Sequence, residues 1–293
     1  MNDYSDQVEV AIAVNYDLAE GPFWDELSCK LIFVDGYKGA VHRFDNETGK
    51  IVSLFVDEPI GAAIPASDER LVFTSANGLK EVFKNRKKSL IVEIETDRPN
   101  NRLNDAKCDS MGRLWTGSFS EKFEQGAGSL YRIDTNNSVT KIASGFRVSN
   151  GIAWNREETR MYFVDTLSGV INLFDYDLAS GEVFNRRKFI EIDRSNGLPD
   201  GLTVDEFGDV WVALFHGGQV RHYKSDGQLA GVIKLPVSRV TSCIFGGKDF
   251  RDLFITTADF KSHKDGKPHE EKAGYVFRCR PGPKGLPSYK FAG

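Results

Sequence analysis

Four polar residues recur at one place in a repeated pattern: Glu20, Asn104, Asn150 and Asp200. They head the apolar stretches "AEGPFWD", "RLNDAKCD", "SNGIAWN" and "LPDGLTVD". Each lies ten or eleven residues before a second apolar run, opening at Leu31, Leu114, Met161 or Val210. A shared place in a repeat brings the four to a shared point in space. Two carboxylates and two amides gathered in an apolar channel cannot stand bare. Desolvating like charges is costly, so a cation or shared protons must compensate. Oxygen donors favour a hard divalent ion such as calcium, magnesium or manganese, and zinc also accepts carboxylates. No histidine cluster accompanies them, which disfavours a His-rich zinc site. The alternative is a water-filled channel lined by hydrogen-bonded polar groups.

The elements that must position these residues follow from the second runs, at 31–35, 71–75, 114–118, 161–165, 210–214 and 253–257. Their first residues are spaced by 40, 43, 47, 49 and 43, the period of four-stranded propeller blades rather than helical repeats. A third strand opens on glycine in every copy: Gly39, Gly78, Gly128, Gly169, Gly218 and Gly274. The expected fold is all-β, a single six-bladed β-propeller of four-stranded antiparallel blades over residues 1–293, closed by residues 8–14 pairing with the last blade. The first strand of a blade lies nearest the axis, so the four polar residues of blades 1, 3, 4 and 5 converge on one end of the channel. In blade 2 the same place falls at Ile60-Gly61 and in blade 6 at Thr241-Ser242, which offer less. Strand alternation puts the long loops on that same face, where sites are usually built.

Bulk properties bound the rest. The chain has 293 residues, a net charge of −4 and 40% apolar content, which argues against nucleic acid or an anionic membrane as the main partner. The N-terminal stretch lacks the basic and apolar regions of a standard signal peptide, and no stretch is long and apolar enough to span a membrane. The scattered cysteines Cys29, Cys108, Cys243 and Cys279 read as reduced thiols of a cytoplasmic protein. His216 follows the second strand of blade 5 and points to the convergent face, as a substrate contact or a solvated loop residue. His42 and His222 read as structural, His263 and His269 as solvated, and the basic run 84–88 as a turn away from the site. Phosphate-cradling and nucleophile-elbow motifs in proper context are missing.

With those residues in place, "EGPFWD", "NNRLNDAKCDSMGRLWTGS", "SNGIAWN…MYFVDT" and "LPDGLTVDEFGDVWVALF" closely resemble signatures of the regucalcin, gluconolactonase and luciferin-regenerating enzyme family, the senescence marker protein family. The likeness spans almost the whole chain. It implies a six-bladed propeller with one divalent metal at the channel mouth, held by Glu20, Asn150 and Asp200. It implies substrate contacts at Arg102 and Asn104, and a catalytic carboxylate at Asp200. Members often carry an acidic substrate contact in the loop after the "TGS" strand. That loop is shorter here, and Glu121, Lys122 or Glu124 could fill the role.

The function expected is therefore a metal-dependent hydrolase opening a small-molecule sugar lactone. One divalent ion (calcium, zinc, manganese, magnesium or iron) would polarise the carbonyl. Asp200 would take the proton of the attacking water; activation of water by the ion itself is the variant, because a ligating carboxylate is a weakened base. A calcium-binding regulator of regucalcin type and a metal-dependent phosphotriesterase are the alternatives on the same site.

Overall fold

An apolar run with no polar alternation is what a strand needs when both of its faces are covered. The second strands meet that condition: Leu31, Ile32, Phe33 and Val34 are all essentially inaccessible, as are Trp211, Val212 and Ala213. The computed structural model, which describes every residue except 69, 262–265 and 267, shows why. Six antiparallel sheets stand around one axis, each packed against its two neighbours.

Blade 1 comprises Ala19–Asp25, Lys30–Asp35, Ala40–Asp45 and Ile51–Phe55 from the axis outward. Blade 2 comprises Ala63–Pro65, Leu71–Ser75, Gly78–Val82 and Lys88–Glu93. Blade 3 comprises Asn101–Cys108, Leu114–Ser120, Gly128–Ile133 and Val139–Phe146, and blade 4 Ser149–Trp154, Arg160–Asp165, Val170–Asp177 and Glu182–Glu191. Blade 5 comprises Leu198–Val204, Val210–Phe215, Gln219–Tyr223 and Leu229–Lys234. Blade 6 takes Val240–Gly246, Asp252–Thr257 and Val276–Cys279 from its own stretch of chain. Its outermost strand is Glu9–Ile12, with Glu9 opposite Arg278 and Val10 opposite Phe277. Asn2–Asp3 adds a short fifth strand, parallel to the outer edge of blade 5, that the sequence pattern did not announce. Helix is confined to three-residue 3-10 turns among the described residues, and no helix is long and apolar enough to cross a membrane.

The turns away from the convergent face are locked by one device used twice. Asp109 Oδ1 accepts the backbone N–H groups of Met111 and Arg113, and Oδ2 accepts Trp115 Nε1 at 3.0 Å. Asp205 Oδ1 accepts from Phe207 and Asp209, and Oδ2 accepts Trp211 Nε1 at 2.9 Å. An aspartate that caps its own turn fixes the hairpin, and its second oxygen fixes the tryptophan packed between blades. The C-terminal tail crosses the same end of the channel through bridges of Gly285 to Asp205, Tyr289 to Cys108 and Phe291 to Ala66. Beneath it lies a cavity of about 400 Å³ into which Lys107 projects.

Candidate metal centre and substrate mouth

The innermost strands of blades 1, 3, 4, 5 and 6 share a register break just where they begin: between Glu20 and Phe23, Leu103 and Ala106, Ser149 and Ile152, Pro199 and Leu202, and Val240 and Ser242. A bulge re-aims a side chain that would otherwise follow the ladder, and here it turns one residue per blade toward the axis. The residue after the polar one is glycine in blades 1, 4 and 5, and blade 2 carries Gly61 at the same place, because the next blade leaves no room. A Cβ on Gly151 would lie 2.6 Å from the carbonyl oxygen of Asp200, and one on Gly201 would collide with Ser242. The charged turn former at the head of an apolar strand is thus a bulge that presents a polar side chain to the channel while the backbone packs closely behind it.

Glu20, Asn150 and Asp200 are brought together by this geometry. Burial, with Asp105 nearby, pushes the Glu20 carboxyl up to about 8, against a hydrogen bond from the N–H of Gly21 and the charge of Arg102. Burial and the charges of Glu20 and Asp105 hold Asp200 well above the usual carboxylate range, while hydrogen bonds from Asn150 and Gly201 pull the other way. Asn150 donates through Nδ2 to Thr166 Oγ1 at 3.2 Å. Asn150 Oδ1 and Asp200 Oδ1 are buried without a hydrogen-bond partner. A buried acceptor without a donor costs about 1–3 kcal/mol, and a cation is the group that would satisfy both. With Glu20 they form a donor set of two carboxylates and an amide oxygen, which fits a hard divalent ion.

Arg102 rises beside this set. Its guanidinium lies 4.5 Å from the centre of the Phe119 ring, and Nε stands 3.5 Å from Glu121 Oε1. Burial lowers its pKa, opposed by Tyr37, Glu121 and Glu20. Asn104 donates through Nδ2 to the carbonyl of Ser149 at 2.9 Å, which holds its amide against blade 4. Glu121 is the acidic residue that meets Arg102, whereas Glu124 accepts from Ser120 at 3.1 Å. His216 stands at the mouth in a left-handed backbone conformation, φ 61°, against the ring of Phe215.

The remaining histidines lie elsewhere. His42 hydrogen-bonds Ser53, and burial lowers its pKa to about 4. His269 is exposed as expected but also contacts the buried Asp259 at 2.9 Å, and His263 lies outside the described residues. Asp205, Asp209 and His222 form the metal-compatible acid–histidine cluster among the described residues, at the opposite end of blade 5. Its oxygens are taken: Asp205 by its turn and Trp211, Asp209 by the N–H of Ser225 and by His222 Nε2 at 3.0 Å. That cluster is a structural lock.

Two channel residues escaped the sequence reading. Asp105 stands in blade 3 at the place glycine holds in blades 1, 2, 4 and 5, and it is 4% exposed. Burial raises its pKa, opposed by Lys107 and the N–H of Ala106. Lys107 crosses the channel to donate to the carbonyl of Leu202 at 2.5 Å. Glu20, Asp105 and Asp200 outnumber the cations Lys107 and Arg102 that act on them, so the channel carries excess negative charge when all are ionised. The signal was present: "NDAK" departs from the polar-residue–glycine pair of the other copies.

A family model described as the SMP-30/Gluconolactonase/LRE-like region matches residues 18–259, most of the chain. The chain belongs to that family. Among its relatives, regucalcin of Gallus gallus is 33% identical over 98% of this chain and 99% of the relative. A solved structure of luciferin-regenerating enzyme is 29% identical, with a TM-score of 0.90 and coverage of 97% of this chain and 98% of that one. A calcium-binding protein, regucalcin, from Agrobacterium tumefaciens is 26% identical, with a TM-score of 0.91 and coverage of 99% and 98%. The span matched to the SMP-30/gluconolactonase/LRE-like family contains every mouth residue named above and omits the N-terminal strand that completes blade 6.

Proposed function

We propose that this protein is a metal-dependent hydrolase that opens lactones, with sugar lactones as the substrates the family suggests. The observation that carries the reading is the pair of unsatisfied buried acceptors, Asn150 Oδ1 and Asp200 Oδ1, beside Glu20 and under a guanidinium. Glu20, Asn150 and Asp200 would hold the ion, which when bound supplies Lewis-acid polarisation of the ester carbonyl. Arg102 holds substrate oxygens with its fork of donors, kept in place by the Phe119 ring and Glu121. Asn104 offers its amide oxygen to a substrate hydroxyl. Water attacks the ring carbonyl carbon and its proton passes to Asp200. The ring C–O bond then breaks as its oxygen takes that proton back from Asp200, giving the open hydroxy acid.

The test is a panel of lactones, esters and phosphotriesters offered to chelator-stripped protein with each of several divalent ions, following acid release at constant pH. Ion-dependent opening of a sugar lactone is expected. The second reading is a calcium-binding role without turnover, favoured by the regucalcin of Agrobacterium tumefaciens being described as calcium-binding. It would be indicated by ion binding with no substrate hydrolysed. Turnover of phosphotriesters alone would indicate a metal-dependent phosphotriesterase on the same site.

A further inference from the structure

The mouth is edged by rings. Running around it, His216 packs on Phe215 at 4.2 Å between centroids, Phe215 on Phe260 at 5.6 Å and Phe260 on Tyr37 at 5.7 Å. The charge of Arg102 acts on Tyr37, and Arg102 in turn lies over Phe119, which stacks on Phe123 at 6.0 Å with planes 18° apart. The series runs from blade 5 through blades 6 and 1 to blade 3. It is supplied by the ends of the second strands and the loops that follow them.

These rings are held at a cost to stability. Phe123, His216 and Phe260 have φ of 55°, 61° and 53°, the left-handed region that bulky residues avoid. Phe123 in addition leaves 53% of its surface in water. A ring that is both backbone-strained and exposed adds little to the core, and strain of this kind collects at binding sites. Arg102, Asn104 and Glu121 of blade 3 make the polar edge of the same opening, directly beside Phe119.

We propose that this aromatic collar is the specificity element of the mouth, and that it selects lactones carrying a flat apolar face or an apolar substituent over fully hydroxylated ones. The proposal rests on the lactone-opening reading above. The polar edge grips the ester and any hydroxyls, while the rings cover C–H surface, the contact for which aromatic plates are suited. Phe123 and Phe260 lie outside the strands, as do Tyr37 and His216, and Phe123 is the most exposed ring of the series.

The experiment compares an alkyl- or aryl-substituted δ-lactone with a glucono-δ-lactone on the ion-loaded protein and on Phe123→Ala and Phe260→Ala. Melting temperatures are measured to show that each variant folds. The expected result is a kcat/KM at least about tenfold higher for the apolar lactone. Each variant should also raise KM for the apolar lactone about tenfold relative to that for the hydroxylated one. Equal preference, or variants that change both substrates alike, would overturn the collar while leaving lactone opening intact. If no lactone is opened, the function proposed above falls. Calorimetry with an alkyl-substituted and a hydroxylated lactam then decides the collar alone, and indifference between them rejects it.

Discussion

Asp105 stands in blade 3 at the place Gly201 holds in blade 5, and its charge acts on both Glu20 and Asp200 where blades 1, 2, 4 and 5 carry glycine. Its compensating charge comes from Lys107, two residues on, which also donates to Leu202 O. Lys107→Met should therefore destabilise the fold by about 1–3 kcal/mol, since it strands a buried carbonyl and a carboxylate together. Adding Asp105→Gly, which gives blade 3 the residue its neighbours carry, should restore the part of that loss due to the carboxylate and leave the part due to Leu202 O. Urea unfolding of the single and double variants checks it, and additive losses in the double variant would show that the two residues are not coupled.

Stability of the metal-free protein should fall as pH rises. Glu20 has a pKa raised from an ordinary 4.5 to about 8, and Asp200 and Asp105 are also raised. A carboxyl whose folded pKa is raised binds more protons in the folded state than in the unfolded one between the two values. Its contribution is complete below the unfolded pKa and is lost as pH climbs through the folded pKa. The melting temperature of chelated protein should thus decline from pH 5 to pH 8, and a divalent ion should remove much of the decline. A flat profile in chelator would mean that the carboxylates are already compensated.

How much of this was written in the chain depends on the kind of signal. The blades were legible because burial on both faces demands uninterrupted apolar runs, and 31–34 and 210–214 satisfy that locally. The convergence of Glu20, Asn104, Asn150 and Asp200 was legible because position in a repeat is position around an axis. Asp105 and Lys107 were not singled out, because their importance lies in what faces them across the channel, Glu20, Asp200 and Leu202, more than 80 residues away along the chain. The pairing of Asn2–Asp3 with Gly231 and Val232 was hidden for the same reason: a two-residue strand has no period to read.

Removing the ion should cost stability by mass action. At an ion concentration a hundred times its dissociation constant the gain is about 2.7 kcal/mol, several degrees in melting temperature for a chain of this size. Calcium, manganese, zinc and iron are each added back to chelated protein in a thermal shift assay. Asn150→Leu should abolish the response, because it removes one of the two unsatisfied acceptors. If none of the ions shifts the unmodified protein, the acceptors are satisfied by water and the site holds no metal.

Asp200 should be the residue whose loss hurts turnover most. It combines a carboxyl with a place at the channel mouth and, through Gly201, a backbone pressed against Ser242 of the next blade. Asp200→Asn keeps the shape and one oxygen donor, so the ion should still bind, more weakly. What it removes is a negative charge and the acceptor of the water's proton, a loss worth about 10²–10⁴ in rate. Arg102→Ala should act mainly on KM, because the guanidinium it deletes is fixed by Phe119 and Glu121 to grip substrate. The decisive assay measures kcat on a δ-lactone at saturating ion, since a fall in occupancy would otherwise imitate loss of the base. If Asp200→Asn keeps near wild-type kcat there, Asp200 serves only as a ligand, and the water must lose its proton without help from a protein carboxylate.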